Sequence, residues 1–554
     1  MTPKPADPPI PCRYALKGRV VTMNENLEVI PTGVIYIDDG KIQAVSPAAA
    51  PKPSGFESAP LFSTGGTIYP GLIELHNHLS YNILPLWKVP KLFERREQWK
   101  NLPEKRKFIT APMQVLGKTA DFVEAIIRYV ESKCLLSGVT TSQGITLSGI
   151  GTVEYYKGLI RNVEETDDRD LPDANTLIED VDDASKFFSK LQKIRSCLLL
   201  HLSEAVPGDD VGRMHFEALK LPNGEWAISD KFSGIHSTAL NADDFKILAQ
   251  KNGSMIWSPL SNYLLYGNTA NIKSAKEAEV LMGIGSDWSS TGSKNLLCEL
   301  KVAHLVNVSL GGIFTHPEIV AMATKNAAKI LKWDKFLGSI EPGKHSDLLV
   351  LNGNQGDPYE LLISANESSI KLVVIDGVPR FGYKGLMGRF GKNNLFMDFE
   401  KDTEKLRVGK KSRLMYLKDK AEDLSAGALK LSEAKKRLKG GLTRLADLAM
   451  KLENPVTTRS MLPRKGRSPL FLYLELDEQE ERKFKSNLRR GLLAKKPTAL
   501  LTYPKGVEPY SVLLKDVKIK LDPLTVVDDA EYFDNLNNQP NLPDFIKNDL
   551  PAFY

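Results

Sequence analysis

Two periodicities of hydrophobic and polar residues succeed one another along the chain. Between residues 13 and 60, ALKGRVVTMN and GVIYIDDGKIQAVSP alternate apolar with polar positions and are broken at Gly40 and Pro47. That is the period of half-buried strands, and DDG at 38–40 is a hairpin signal. From GGTIYPGLIELHNH onward, short apolar runs take turns with amphipathic stretches. The runs GLIEL (71–75), VTTSQGI (139–145), GLIRNV (158–163), TLIEDV (176–181), SCLLLHL (196–202), FSGIHS (232–237), SMIWSPL (254–260) and VLMGIGSD (280–287) predict eight strands. The stretches 119–138, 183–194, 242–253 and 316–331 predict helices. Alternation of this kind implies parallel strands joined by crossover helices.

The predicted fold class is therefore α/β. Residues 65–345, a stretch of about 280, suit a (β/α)8 TIM barrel. Strands in 1–64 and in 346–384, where SDLLVLN and IKLVVIDGVPRF lie, are expected to meet in a small composite β-sandwich domain built from both flanks. Residues 385–554 form an α+β C-terminal extension: 419–455 is helical in pattern, interrupted at Gly440 and Gly441, and PLFLYLELD, ALLTYP and YSVLLKDVKIKLDPL read as strands.

Composition narrows the class without naming a function. The chain has 554 residues, 42% hydrophobic and 26% charged, ordinary for a globular protein of several domains. No run of about 18 apolar residues predicts a membrane span. The opening MTPKPADPPIPCRY lacks the apolar core of a signal peptide, so a cytoplasmic location is expected. Cys12, Cys134, Cys197 and Cys298 are scattered and form no CxxC pair, which excludes a zinc knuckle or a disulfide framework. The net charge of +6 is uneven: residues 401–500 hold 26 lysines and arginines against 13 acidic residues. Such a block reads either as a solvated helical surface or as a separate segment with its own contact surface. Its few interleaved aromatics argue against nucleic acid as a partner.

The eight histidines add the chemistry. His76, His78, His201 and His236 all fall at predicted strand ends, and the C-terminal strand ends of a barrel form its active-site face. His76 and His78, two residues apart on a strand, share a face, so two imidazoles can converge on one ion. Alone, such a pair equally describes two exposed loop histidines. His201 follows LLL and, if buried, needs a hydrogen bond or a metal. Glu204 lies three residues on, where a plain helix-entry carboxylate would also sit. Asp287 ends the last predicted strand, where Asp also serves as an N-cap. Together these residues crowd one rim. Three imidazoles and a carboxylate suit one divalent ion, Zn2+ or Fe2+, with a position left open for water. A bound divalent metal brings the pKa of water toward about 7. Glu204 is then the candidate proton shuttle, His236 polarises the substrate or holds the hydroxide, and Asp287 both ligates and takes the water proton.

Several motifs fit a known family. PGLIELHNHL is similar to the PGhhxxHxH signature of the amidohydrolase superfamily, in the branch of triazine hydrolases, guanine deaminase and adenosylhomocysteine-type deaminases. HLSE resembles its HxxE, WSPLSNYLLYGNT its PxSNxxLxxG and GIGSDWSS its GTDxxxS. NAAKILKW…LGSIEPGKHSDLLVLN resembles its exit from the barrel. The order is preserved, and the resemblance covers about residues 13–385. It implies ligation of a single metal by His76, His78, His201 and Asp287, because TLIEDV lacks the lysine that bridges two metals in binuclear members. It implies proton transfer by Glu204 and a substrate- or water-facing His236. Ser261 and Asn262 would face the substrate or brace the loop that does.

The text after HxH departs from the pattern, so Tyr81 and Trp87 are expected to line the pocket instead. The expected reaction is hydrolysis of a non-peptide C–N bond in a small heterocyclic molecule, most simply a deamination. The alternatives are a hydrolase of another leaving group, a cyclic amide or halide, and a non-catalytic scaffold. Barrel hydrolases of this sort often form homo-oligomers, which makes a second copy a possible partner.

Overall fold

The computed structural model describes residues 13–148, 153–155, 158–166, 168–393, 395, 399–417, 429–454, 471–494 and 498–554. The chain opens with β1 (Tyr14–Val21), β2 (Val29–Asp38), β3 (Lys41–Pro47) and β4 (Leu61–Pro70). β1–β3 pair antiparallel in sequence, while β4 lies parallel to β1 on its other side. The hairpin expected at Asp39–Gly40 joins β2 to β3, and both turn residues adopt positive φ, as a tight primed turn requires.

The short strands come next: β5 (Leu72–Glu74), β6 (Val139–Ser142), β7 (Thr146–Ser148), β8 (Val153–Tyr155), β9 (Arg161–Asn162), β10 (Asn175–Leu177), β11 (Leu198–Leu202), β12 (Phe232–His236), β13 (Ser254–Trp257) and β14 (Leu281–Ile284). Each of the eight apolar runs overlaps one of them, though TLIEDV (176–181) shares only two residues with β10, and the hairpin β7–β8 was not anticipated. β10 to β14 form a five-stranded parallel sheet in sequence order, and β5, β6 and β9 a three-stranded parallel sheet. All five residues of β11 and all five of β12 are buried. Strands covered on both faces read as unbroken apolar runs rather than alternations.

The predicted helices stand at Ala120–Leu136, Ala184–Lys193 and Ala242–Gln250, the last begun by a reciprocal Asn241–Asp244 capping box. Residues 316–331 form two helices, His316–Met322 and Lys325–Ile330, rather than one. Thr324, at φ −134° and ψ −101°, breaks the run. No helix among the described residues is long and apolar enough to cross a membrane. Cys134, Cys197 and Cys298 are buried and free, and Cys12 lies outside the described residues.

β15 (Leu348–Asn352), β16 (Ile370–Ile375), β17 (Val378–Tyr383), β18 (Thr403–Val408) and β19 (Lys411–Tyr416) return the chain to the first sheet. The result is nine strands in the order β18-β19-β17-β16-β15-β4-β1-β2-β3. Two strands of residues beyond 385 thus belong to this sheet. The rest of that region packs on the body of the protein: Leu431–Leu442 lies against the helix Ala120–Leu136, and β20 (Phe471–Leu472) pairs with β7. The strands expected in PLFLYLELD, ALLTYP and YSVLLKDVKIKLDPL are otherwise absent among the described residues. Tyr510–Leu513 is helical, and Leu472, Leu474 and Leu476 are buried by packing, with only a two-residue ladder beside them.

A candidate metal centre with a buried acid

β5 and β14 deliver the first part of the site. Past their ends, Asn77 and Asp287 form a parallel bridge. His78 N donates to Asp287 O and Asp287 N to His76 O, each at 2.9 Å. Gly285 permits this approach: a Cβ there would stand 2.5 Å from the His76 Cβ. β11 supplies His201, with Glu204 just beyond it, and β12 supplies His236. His236 and Asp287 hold φ of 65° and 64°, and Ser203, between His201 and Glu204, holds 48°. Non-glycine residues in this region mark backbone strain that the surrounding structure must sustain, a pattern concentrated at functional sites.

All six predicted chemical residues meet and are buried. The ring of His76 lies 5.1, 4.7 and 5.0 Å from those of His78, His201 and His236. One ligand atom each from His76, His201 and His236 lies within 4.8 Å of the others, and the same holds for His76, His78 and Asp287. Asp287 Oδ1 stands 3.2 Å from His76 Nε2 and 3.5 Å from His78 Nε2. His76 Nε2, both ring nitrogens of His201 and Asp287 Oδ1 make no hydrogen bond among the described residues. Buried polar atoms are rarely left so, and these belong to residues whose donor set fits a divalent metal.

Outer contacts orient the ligands. Gln143 Oε1 lies 3.3 Å from His76 Nδ1 and accepts Asn77 N at 2.6 Å. Asn262 Nδ2 lies 3.0 Å from His236 Nδ1, so the amide donates there and the ring proton sits on Nε2, 3.9 Å from Glu204 Oε2. Ser261 donates to Asp287 Oδ2 at 2.6 Å. Glu204 Oε1 accepts Tyr266 OH at 2.7 Å, and Trp99 Nε1 donates to that hydroxyl at 3.0 Å.

Charge follows burial and neighbours. Burial pushes the Glu204 carboxyl up to about 7, against the pull of Arg96. Burial, reinforced by the neighbouring imidazoles, holds His201 well below its ordinary value. Burial does the same to His236, with His76 adding to it and Asp287 opposing. Burial would also raise Asp287, but His76 and His78 outweigh it and keep that carboxyl ionised. The centre therefore offers neutral imidazoles at His201 and His236, a carboxylate at Asp287 and, at Glu204, a carboxylic acid near its own titration point.

Beside His78 a cavity of about 290 Å3 is lined by Asn77, Gln143, Glu164, Tyr473 and Glu475 among others. Tyr81 and Trp87 are not in its lining. Tyr81 is buried edge-on to Trp288 at 5.3 Å and donates its hydroxyl to Asp477 Oδ2 at 3.2 Å. Trp87 is buried with its backbone tied to Ser290 and Gln539. Sequence reasoning missed Gln143, Tyr266, Arg96 and Glu475. Gln143 lies within the predicted strand VTTSQGI, one residue past the end of β6, and was within reach of the same argument. Glu475 is 397 residues from His78, and no local signal marks it.

The resemblance to the amidohydrolase superfamily is borne out by comparison with known proteins. Residues 223–380 match the amidohydrolase family. A 5-methylthioadenosine/S-adenosylhomocysteine deaminase of Moorella thermoacetica is 25% identical over 390 residues, 63% of this chain and 90% of that protein. A 5'-deoxyadenosine deaminase of Methanobrevibacter smithii is 29% identical over 154 residues, 26% of this chain and 35% of that one. Among solved structures, a mutant atrazine chlorohydrolase from Arthrobacter aurescens TC1 complexed with zinc and atraton shares the fold at a TM-score of 0.54. It is 19% identical and covers 66% of this chain and 94% of its own. Guanine deaminase of E. coli does so at 0.51 and 17% identity, covering 66% and 98%.

Proposed function

We propose that this protein is a metal-dependent hydrolase that breaks a non-peptide C–N bond in a small heterocyclic substrate by hydrolytic deamination. The observation that carries the reading is the group of buried ligand atoms on His76, His201 and Asp287 that make no hydrogen bond among the described residues, beside a carboxylic acid held near neutrality. The deaminase names of the relatives support the reaction class, and zinc in a neighbouring structure supports the metal. Zn2+ suits three imidazoles and a carboxylate, and Fe2+ is the other ion that set accepts.

The same reading takes the two parallel sheets as arcs of one closed (β/α)8 barrel over 65–345. The Asn77–Asp287 bridge joins one pair of their ends, and Ala174 N donates to Val163 O at 2.8 Å between the other pair. Residues 1–64 and 346–384 would then share the flanking β-domain, to which the extension 385–554 adds β18 and β19.

His76, His78, His201 and Asp287 would hold the ion, which supplies a water with its pKa brought toward about 7. Glu204, flanked by Tyr266 and Arg96, is placed to receive that water's proton and return it to the leaving nitrogen. A C–O bond forms, the C–N bond breaks, and the nitrogen departs as ammonia. His236 presents Nε2–H toward the same space as Glu204 and holds the attacked atom or the attacking oxygen in line. Ser261 and Asn262 keep Asp287 and His236 in these poses, and Tyr81 packs edge-on against Trp288, the residue after Asp287.

The test is metal analysis of the purified protein, followed by a screen of the loaded protein on amino-purines, amino-pyrimidines, triazines and cyclic ureas. One metal per chain with ammonia release on one substrate class is the expected outcome. Chloride released from a halogenated triazine without ammonia release would replace deamination by dehalogenation. Failure to retain metal after supplementation would point to a scaffold.

A further inference from the structure

Residues 474–481 press onto the rim of the site, and no step above uses them. Glu475 begins a short turn, Glu475–Asp477, and its Oε1 lies 3.0 Å from His78 Nδ1. Two neighbours lock this turn in place. Asp477 accepts Tyr81 OH at 3.2 Å, Thr110 Oγ1 at 2.8 Å and Lys105 Nζ at 3.2 Å. Glu481 pairs with Lys118 Nζ at 2.6 Å, both side chains being almost wholly buried.

A neutral imidazole carries its proton on one nitrogen and its lone pair on the other. A carboxylate that accepts Nδ1–H fixes the proton there, turns the ring and leaves the Nε2 lone pair for a metal. His78 Nε2 does face the centre, 3.5 Å from Asp287 Oδ1. Gln143 does the same for His76 from within the chain's first half.

We propose that Glu475 is a positioning residue for His78, so that the C-terminal extension is a built part of the metal site and not an appendage to it. The inference rests on the metal-centre reading given under Proposed function. Glu475 reaches the metal only through His78, and its side chain is 27% exposed, so its truncation opens no core cavity.

The experiment uses the full-length protein, stripped and reloaded. Zinc affinity is measured by competition with a chromophoric chelator for the wild type, Glu475→Ala and Glu475→Gln, and each metal-free form is melted alongside. Glu475→Ala should bind zinc about 10–100-fold more weakly, the usual loss when a ligand's outer partner is removed, with its metal-free melting temperature unchanged. Glu475→Gln should recover most of that loss, because its amide oxygen still accepts Nδ1–H. Wild-type zinc affinity in Glu475→Ala would overturn the proposal, as would an affinity loss that tracks a lower metal-free melting temperature. If the wild type itself takes up no zinc, the metal-centre reading falls and this inference with it. If the wild type binds zinc and Glu475→Ala binds it equally, only this inference falls.

Discussion

Ser261 donates its hydroxyl to Asp287 Oδ2 at 2.6 Å, and both side chains are buried. The bond joins the helix Pro259–Tyr266 to the turn after β14. It occupies one carboxylate oxygen and leaves Oδ1 directed at His76 and His78. In Ser261→Ala the carboxylate loses a strong, charge-assisted partner and the freedom of its rotation returns. Metal affinity should fall about 10–100-fold, read by chelator competition, with a smaller effect on turnover at saturating metal. Asp287→Ala should go further and lower both occupancy and rate.

Glu204 is the residue whose replacement should separate binding from chemistry. Its Oε2 points at the same space as His236 Nε2, 3.9 Å away, while Oε1 is spent on Tyr266. Glu204→Gln preserves the shape and the Tyr266 bond but cannot carry a proton. It should retain wild-type metal content and lose turnover by about 10²–10⁴-fold, the range for a general acid/base. Unchanged turnover on a confirmed substrate would show that another group moves the proton.

The parts of this site that the sequence disclosed are those that obey a period. His76, His201, His236 and Asp287 each close an apolar run, and runs buried on both faces are conspicuous because nothing polar interrupts them until the rim. The nine-stranded sheet was half legible: β1–β3 announce themselves by alternation, but its extension by β18 and β19 depends on β19 pairing with β17 across the intervening helix Lys384–Lys392. The segment PLFLYLELD shows how the same rule misleads. Its alternate leucines are buried, as in a strand, yet they pack on the protein's body while the backbone turns after two paired residues. The contacts of Glu475, Asp477 and Glu481 with residues 78–118 join positions more than 360 apart, and no local pattern encodes such a meeting.

That the extension is fastened by buried charge gives a stability prediction. Lys118 and Glu481 are paired with side chains 0% and 1% exposed, and Lys118 also donates to the Leu472 carbonyl. Removing one partner strands the other in the interior, which costs about 3–5 kcal/mol. Glu481→Ala should therefore lower the denaturation midpoint markedly. Replacing both residues, as Lys118→Met with Glu481→Leu, should restore much of the loss, since apolar side chains of similar volume need no partner. Chemical denaturation of the wild type and the two variants checks both statements.

Glu299 supplies the pH-dependent prediction, at a position that is not a proposed ligand. It accepts Leu260 N at 3.2 Å and the Ser293 hydroxyl. Burial pushes its carboxyl up to about 8, more than these two bonds pull it down. The folded protein therefore holds this proton more tightly than the unfolded chain, whose glutamate titrates near about 4.3. Folding gains from this group below pH of about 4.3, and the gain is lost progressively as pH rises toward about 8, because the unfolded state ionises first. Glu299→Gln keeps both hydrogen bonds with a side chain that cannot ionise. Its melting temperature relative to the wild type should climb between pH 5 and about pH 8, corresponding to a few kcal/mol. Thermal melts at both pH values decide the matter: a difference that stays flat would mean that Glu299 is ionised in the folded protein.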